Sequence, residues 1–105
     1  MSRLRADKPP VTPGEILLGE FLEPLGITQR DFAAAIGVAP AYVSDIIHGR
    51  RGVSAEMALR FEAALKMPAR FWLNARLACD LYAVKHDKRA AAKRRQIVRL
   101  NKLAS

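Results

Sequence analysis

Apolar residues recur at helical spacing between a series of start and stop signals, and no strand-like alternation persists anywhere, so the pattern predicts an all-helical chain. Five segments can be delimited. The first opens at Thr12-Pro13-Gly14-Glu15, where Thr12 can cap, Pro13 suits the first helical position and Glu15 can reach back as a capping box. It carries Leu18, Phe21, Leu22 and Leu25 at i, i+3, i+4 and i+7, and Gly26 stops it. The second starts at Thr28, with Asp31 favouring the positive end of its dipole, and runs through Phe32, Ala33 and Ile36 to Gly37. The third opens with Pro40, buries Val43, Ile46 and Ile47, and stops at Gly49. Ser54 caps a fourth, whose Met57, Ala58, Phe61, Ala64 and Leu65 face inward. Pro68 begins the fifth, with Phe71, Trp72, Ala75, Ala78, Cys79 and Tyr82 at helical spacing. Beyond Lys85 the chain is rich in Ala, Lys and Arg, with only Ile97, Val98, Leu100 and Leu103 to bury, which reads as a solvated continuation of the fifth helix or a loosely held tail.

The second and third segments change the picture from a generic bundle to something more specific. Two short helices joined by about three residues that include a glycine cross steeply, the geometry of a helix-turn-helix whose second helix enters the DNA major groove. Ala33 is small where the helices must approach, Gly37 can take the positive φ of the turn, and Phe32, Ile36, Val38, Val43 and Ile46 supply the wedge. At 105 residues the chain is one small domain. It divides into an N-terminal arm at 1–11, the helix-turn-helix domain at 12–84 and a basic extension at 85–105.

Charge refines this reading. The net charge is +8, with half the residues hydrophobic and 27% charged, a globular composition that suggests a polyanionic partner. The basicity is terminal. Arg3, Arg5 and Lys8 oppose only Asp7 at the N-terminus, and eight Lys or Arg oppose only Asp87 from Lys85 onward, whereas the stretch between carries −1. The single cysteine, Cys79, excludes an internal disulfide, fits a reducing cytoplasmic compartment and reads as a small buried hydrophobe. The charged N-terminus lacks a signal-peptide core, and the longest apolar stretch, Phe32 to Val43, is broken by Gly37 and Pro40 and is too short to span a membrane.

Candidate DNA contacts follow from position. Thr28 and Gln29 lie at the start of the second helix, where free N–H groups and an amide suit a phosphate, with Arg30 exposed beside them. The N-terminal and outward positions of the third helix are Ala39, Pro40, Ala41, Tyr42, Ser44, Asp45 and His48, a set without the Arg, Lys, Asn or Gln of the commonest bidentate readouts. Ala41 or Pro40 can meet a thymine methyl, Ser44 can donate or accept, and Asp45 can accept from a cytosine amine. Arg50 and Arg51 follow at the foot of the helix, placed for the phosphate backbone or a groove edge. An enzyme is not expected. Ser44, Asp45 and His48 fall within one helix turn, which does not align a nucleophile, base and acid, and no oxyanion loop, P-loop, dinucleotide fingerprint or metal-binding Cys/His spacing accompanies them. No cofactor is implied.

From Thr12 to Tyr82 the chain resembles the HigA/VapI group of Xre-like helix-turn-helix antitoxins. The strings that carry the resemblance are Thr12-Pro13-Gly14-Glu15-Ile16-Leu17, Phe21 to Gln29, Gly49-Arg50-Arg51 and Arg70-Phe71-Trp72-Leu73-Asn74. The resemblance implies a five-helix, phage-repressor-like domain that binds operator DNA as a homodimer, represses its own operon and neutralises a HigB-type, mRNA-cleaving toxin. Two other readings stay open: a stand-alone Xre-like repressor, and an interaction module whose basic tail binds nucleic acid while the helix-turn-helix is structural. The chain departs from the family pattern at Ala39, where a Ser or Thr usually caps the recognition helix, and in the length of its basic extension. The fifth helix around Phe71, Trp72 and Leu73 is the expected dimer surface, and Glu15, Glu20 and Glu23 along the first helix offer an acidic face to a basic partner.

Overall fold

The computed structural model describes residues 8–100, and every regular element within them is a helix. The first, α1, is composite: an α-helical turn at Pro13–Ile16, a π-helical stretch at Leu17–Leu22 and a last α-helical turn at Glu23–Leu25. It is followed by α2 (Gln29–Ile36), α3 (Pro40–Ile47), α4 (Ala55–Leu65), α5 (Ala69–Lys85) and α6 (Lys88–Arg94). The basic residues Arg3 and Arg5 and the end of the extension, with Leu103, lie outside the described residues.

The start signals act as their chemistry dictates. Thr12 accepts from the Glu15 N–H at 3.0 Å while the Glu15 carboxylate accepts from the Thr12 N–H at 2.9 Å, a complete capping box. Thr28 and Ser54 cap α2 and α4 by the single side-chain bond, accepting from the N–H groups of Asp31 and Met57.

The π-helical middle of α1 has a local cause. Pro24 has no N–H to donate, and its ring crowds the carbonyl four residues earlier, so a helix that continues past it must widen. The Glu23 N–H accordingly donates to the Leu18 carbonyl five residues back. Wider turns shift the helical phase. Leu17 and Leu22 are buried, Leu18 and Phe21 are half-buried, and Leu25 is 62% exposed, which corrects the inward set expected from regular 3.6-residue spacing.

In α2 and α3 all the expected inward residues are buried: Phe32, Ala33 and Ile36, then Val43, Ile46 and Ile47. The core closes around Trp72 of α5, whose ring meets Phe21, Phe61 and Phe71 at centroid distances of 5.4, 5.0 and 5.2 Å. Trp72 is the one fully buried residue of α5. Phe71, Ala75, Cys79 and Tyr82 are half-buried and Ala78 is exposed, because the C-terminal half of α5 runs past the core. The same holds for Ala64 in α4, which is exposed. Cys79 is therefore not simply a buried hydrophobe. Its thiol donates toward the carbonyls of Pro10 and Val11, at 3.7 and 3.5 Å, and so ties the segment before α1 to α5. Desolvation first, then the carboxylates of Asp80 and Glu15, push its pKa up, which keeps the thiol in the protonated, donating form.

The basic extension is neither a continuation of α5 nor a loose tail as far as Arg94. The chain breaks at His86, and Asp87 caps a separate helix by accepting from the Ala90 N–H at 3.3 Å. Arg94 of α6 then folds back and donates to the terminal carbonyls of α5, at Val84 (3.4 Å) and Lys85 (3.5 Å).

Candidate nucleic-acid interface

The α2–turn–α3 unit is held from three sides. Within the turn, Gly37 adopts φ 76°, and the N–H groups of Gly37 and Val38 donate to Ala34 and Ala33. Ala33, with no solvent exposure, lets α2 and α3 cross closely. From α4, Arg60 donates through Nη1 to the carbonyls of Ile36 (2.8 Å) and Gly37 (3.3 Å), while Glu56 steadies its Nε at 3.1 Å. From α1, Gly14 lies directly against α3, where a Cβ would fall onto the Ile46 carbonyl oxygen and within 2.7 Å of the Ile47 Cα. Arg76 of α5 fixes the following loop, donating to the Val53 carbonyl at 2.8 Å and pairing with Asp80 at 3.4 Å.

Gly14, Arg60 and Arg76 are the residues that sequence reasoning missed. Arg60 and Arg76 reach carbonyls more than twenty positions away, and no local pattern announces such a contact.

The candidate contact residues lie on and beside this unit. Thr28 and Arg30 are exposed and Gln29 is half-buried at the start of α2, although the Thr28 hydroxyl is occupied as a cap. Ala39, Pro40, Ala41 and His48 are exposed along α3, and Tyr42, Ser44 and Asp45 are half-buried. Ala39 has the extended backbone of an N-cap, φ −69° and ψ 146°, but supplies no side-chain bond. Ala39→Ser should therefore stabilise the chain by about 1 kcal/mol, a rise of roughly 4–8 °C in a thermal melt. An unchanged melting temperature would show that the first turn of α3 is already satisfied.

The two arginines of the loop do not trail away from α3. The N–H groups of Arg50 and Arg51 both donate to the Asp45 carbonyl, at 2.8 and 3.2 Å, which turns the chain back against the helix. The Arg50 Nε then pairs with the Asp45 carboxylate at 3.0 Å. The Arg51 guanidinium reaches almost one turn further and stacks on the Tyr42 ring, 4.1 Å from its centroid. A guanidinium stacked in this way keeps its N–H donors in its own plane, free for a bidentate acceptor. The outward face of α3, poor in donors by its own sequence, thus acquires them from the loop that follows.

His48 closes this face. Its Nδ1 lies 2.8 Å from the Ser44 carbonyl and so donates there, with the Ser44 hydroxyl at 3.3 Å. Asp45 is engaged with Arg50 rather than with His48, and no Ser-His-Asp relay is assembled. A shallow cleft of about 190 Å³ separates the loop from α5, lined by Gly14, Arg51, Gly52, Arg76, Cys79 and Asp80 among others.

Comparison with known proteins agrees with this geometry. A helix-turn-helix family model matches residues 18–72, about half of the chain. Antitoxin HigA-1 of Vibrio cholerae is 44% identical over 85 residues, covering 80% of this chain and 79% of its own. The solved antitoxin GraA superposes with a TM-score of 0.79 at 38% identity, covering 88% of this chain and 98% of GraA. The Pseudomonas aeruginosa antitoxin HigA, solved with the higBA promoter, gives 0.77 at 34% identity, covering 87% and 98%. The chain belongs to the Xre-like helix-turn-helix family, in its group of HigA-type antitoxins.

Proposed function

We propose that this chain binds a palindromic operator as a twofold dimer, represses its own toxin–antitoxin operon and neutralises a HigB-type mRNA-cleaving toxin. The observation that carries the DNA-binding part is the folding of Arg50 and Arg51 onto the outward face of α3, beside Ala41, Ser44 and His48. Operator-bound relatives support it: HigA with the higBA promoter, and GraA in complex with its operator. In this reading Thr28, Gln29, Arg30 and Ala39 face the phosphates, and Pro40, Ala41, Tyr42, Ser44, Asp45 and His48 face the groove.

Arg51 is the base reader. Arg51→Ala should weaken operator binding roughly 10- to 100-fold and relax preference at one base position, as the loss of a bidentate guanine contact does. Tyr42→Phe keeps the stacking ring and should bind like the parent; Tyr42→Leu should follow Arg51→Ala part of the way. If Arg51→Ala leaves base preference intact and only lowers the salt slope by about 1, Arg51 contacts phosphate instead.

The dimer surface is reassigned within α5. Trp72 is fully buried and cannot contribute, whereas Leu77, Leu81 and Val84, at i, i+4 and i+7, are 53%, 56% and 52% exposed and form an apolar stripe. Leu81→Asp should convert a dimer to a monomer in sedimentation at micromolar concentration and abolish protection of one half-site of the palindrome. A parent chain that already sediments as a monomer would reject the dimer.

For the toxin, Glu20 and Glu23 are exposed on α1 and, among the described residues, form no ion pair, while Glu15 is committed to the capping box. They suit a basic ribonuclease. Co-expression with the product of a neighbouring reading frame should give a co-purifying complex and restore growth. A harmless neighbour, or no association, would leave the chain a stand-alone repressor.

A further inference from the structure

The basic extension takes no part in the reading above, and the helix-turn-helix model, ending at residue 72, does not reach it. Between Lys85 and Arg99 the chain exposes Lys85, Lys88, Arg89, Lys93, Arg94, Arg95 and Arg99 against one carboxylate, Asp87, which is spent as the α6 cap. Among the described residues none of these seven cations forms an ion pair.

The helix they build works against its own electrostatics. Lys88 and Arg89 occupy the first turn, at the positive end of the dipole, where anions are favoured. Arg89 and Lys93 stand four residues apart on one face, a like-charge pair. The chain nevertheless orders the segment, through the Asp87 cap, the half-buried face of Ala90, Ala91 and Ala92, and the two bonds from Arg94 to the end of α5. A surface that gathers cations and supplies no anions attracts an external polyanion.

The position of the patch points to the phosphates beside the operator. Asp80 of α5 lines the cleft next to Arg51, and α5 runs on for five residues, about 7 to 8 Å along its axis, to Lys85, where the basic segment begins. That distance is roughly two base-pair steps of duplex. The body between Pro9 and Val84 carries −1 and supplies little attraction of its own, so the long-range pull on a nucleic acid comes from the two termini, most of it from this segment.

We propose that α6 and its basic flanks form a second phosphate-binding surface, which grips the duplex DNA next to the half-site read by α3. This rests on the operator-binding reading, and the experiment separates the two. The full-length chain and its K88Q/R89Q/K93Q/R95Q variant are measured across a salt series. Arg94 is kept because it holds α6 to α5. The probe is a duplex of about 30 base pairs selected by the parent chain from a randomised pool, long enough for two half-sites one turn apart and their flanks. The slope of log affinity against log salt should fall by about 3 to 4 per protomer, and so by about twice that for a dimer on both half-sites, with the preferred sequence unchanged. Trimming the flanks should weaken the parent and not the variant. A second variant, R95Q/R99Q, lies beyond the body of α6 and should lower the slope by about 2 per protomer, about 4 for the dimer, which decides the matter alone if the first variant does not fold.

Equal slopes for parent and variants would overturn the second surface while leaving operator binding in place. Tighter binding of the patch to single-stranded RNA than to duplex would overturn it as well. Selection that recovers no duplex at all would remove the operator reading together with it.

Discussion

Gly14→Ala should cost about 3 kcal/mol and lower the melting temperature by more than about 10 °C, although it adds a single methyl group. The added Cβ has no room to turn aside, because it meets backbone: the Ile46 carbonyl oxygen, with the Ile47 Cα at 2.7 Å. Side chains yield by changing rotamer, but a helix backbone must move as a unit. α1 and α3 would therefore separate, and the face that carries Tyr42, Ser44 and Asp45 would shift with them, so operator affinity should fall too. Gly19→Ala in the same helix is the matched control. Its Cβ meets nothing within 4 Å, and the change should stabilise by about 0.5–1 kcal/mol through the unfolded chain. Thermal melts of the two variants check both, and similar melting temperatures would show that α1 and α3 do not touch as described.

Replacing Trp72 should have an effect of similar size by the opposite route, a void instead of a clash. Trp72→Ala should cost about 3–5 kcal/mol, because it withdraws the ring on which Phe21, Phe61 and Phe71 converge. Against the roughly 5–15 kcal/mol that holds a small domain together, this brings the chain close to unfolding. Trp72→Phe should cost less than half as much. Among the described residues the buried indole Nε1 has no hydrogen-bond partner, so the change gives up volume and also removes an unmet donor. A Phe variant as unstable as the Ala variant would mean that the nitrogen is solvated after all. Denaturant titration at constant protein concentration separates these outcomes from any change of assembly.

The starts of the first five helices and the ends of the first three could be read from the chain because their signals are local. Thr12, Thr28 and Ser54 each bond an N–H three positions on, and Gly26, Gly37 and Gly49 take positive φ angles at helix ends. The Asp87 cap was equally local and went unread, because the run of lysines and arginines after it dominated the pattern. What the chain did not disclose is whatever depends on phase or on distance. The π turn before Pro24 brought Leu17 in beside the expected Leu22, left Leu18 and Phe21 half-buried and turned Leu25 out. In α5 helical spacing was present, but spacing does not say where a core ends, and only Trp72 is enclosed. For the candidate interface, sequence reasoning named Arg50 and Arg51 but not their direction, which is set by the Asp45 carbonyl and the Tyr42 ring. It also passed over Arg60, whose bond to the Ile36 carbonyl spans twenty-four residues.

The folding of Arg50 onto Asp45 and of Arg51 onto Tyr42 has a kinetic consequence for a chain that reads duplex DNA. Such a reader spends most of its time on wrong sites, which outnumber the right one by roughly a million-fold or more. Cations that already have a carboxylate and an aromatic ring for company gain little from an arbitrary groove, so dwell times there stay short and sliding is not arrested. On the proposed operator, only a base step that offers better acceptors than Asp45 draws Arg50 away, while Arg51 reads from its platform on Tyr42. On that proposed reading, the same contacts that quiet the free protein set the threshold at which a scanning molecule stops.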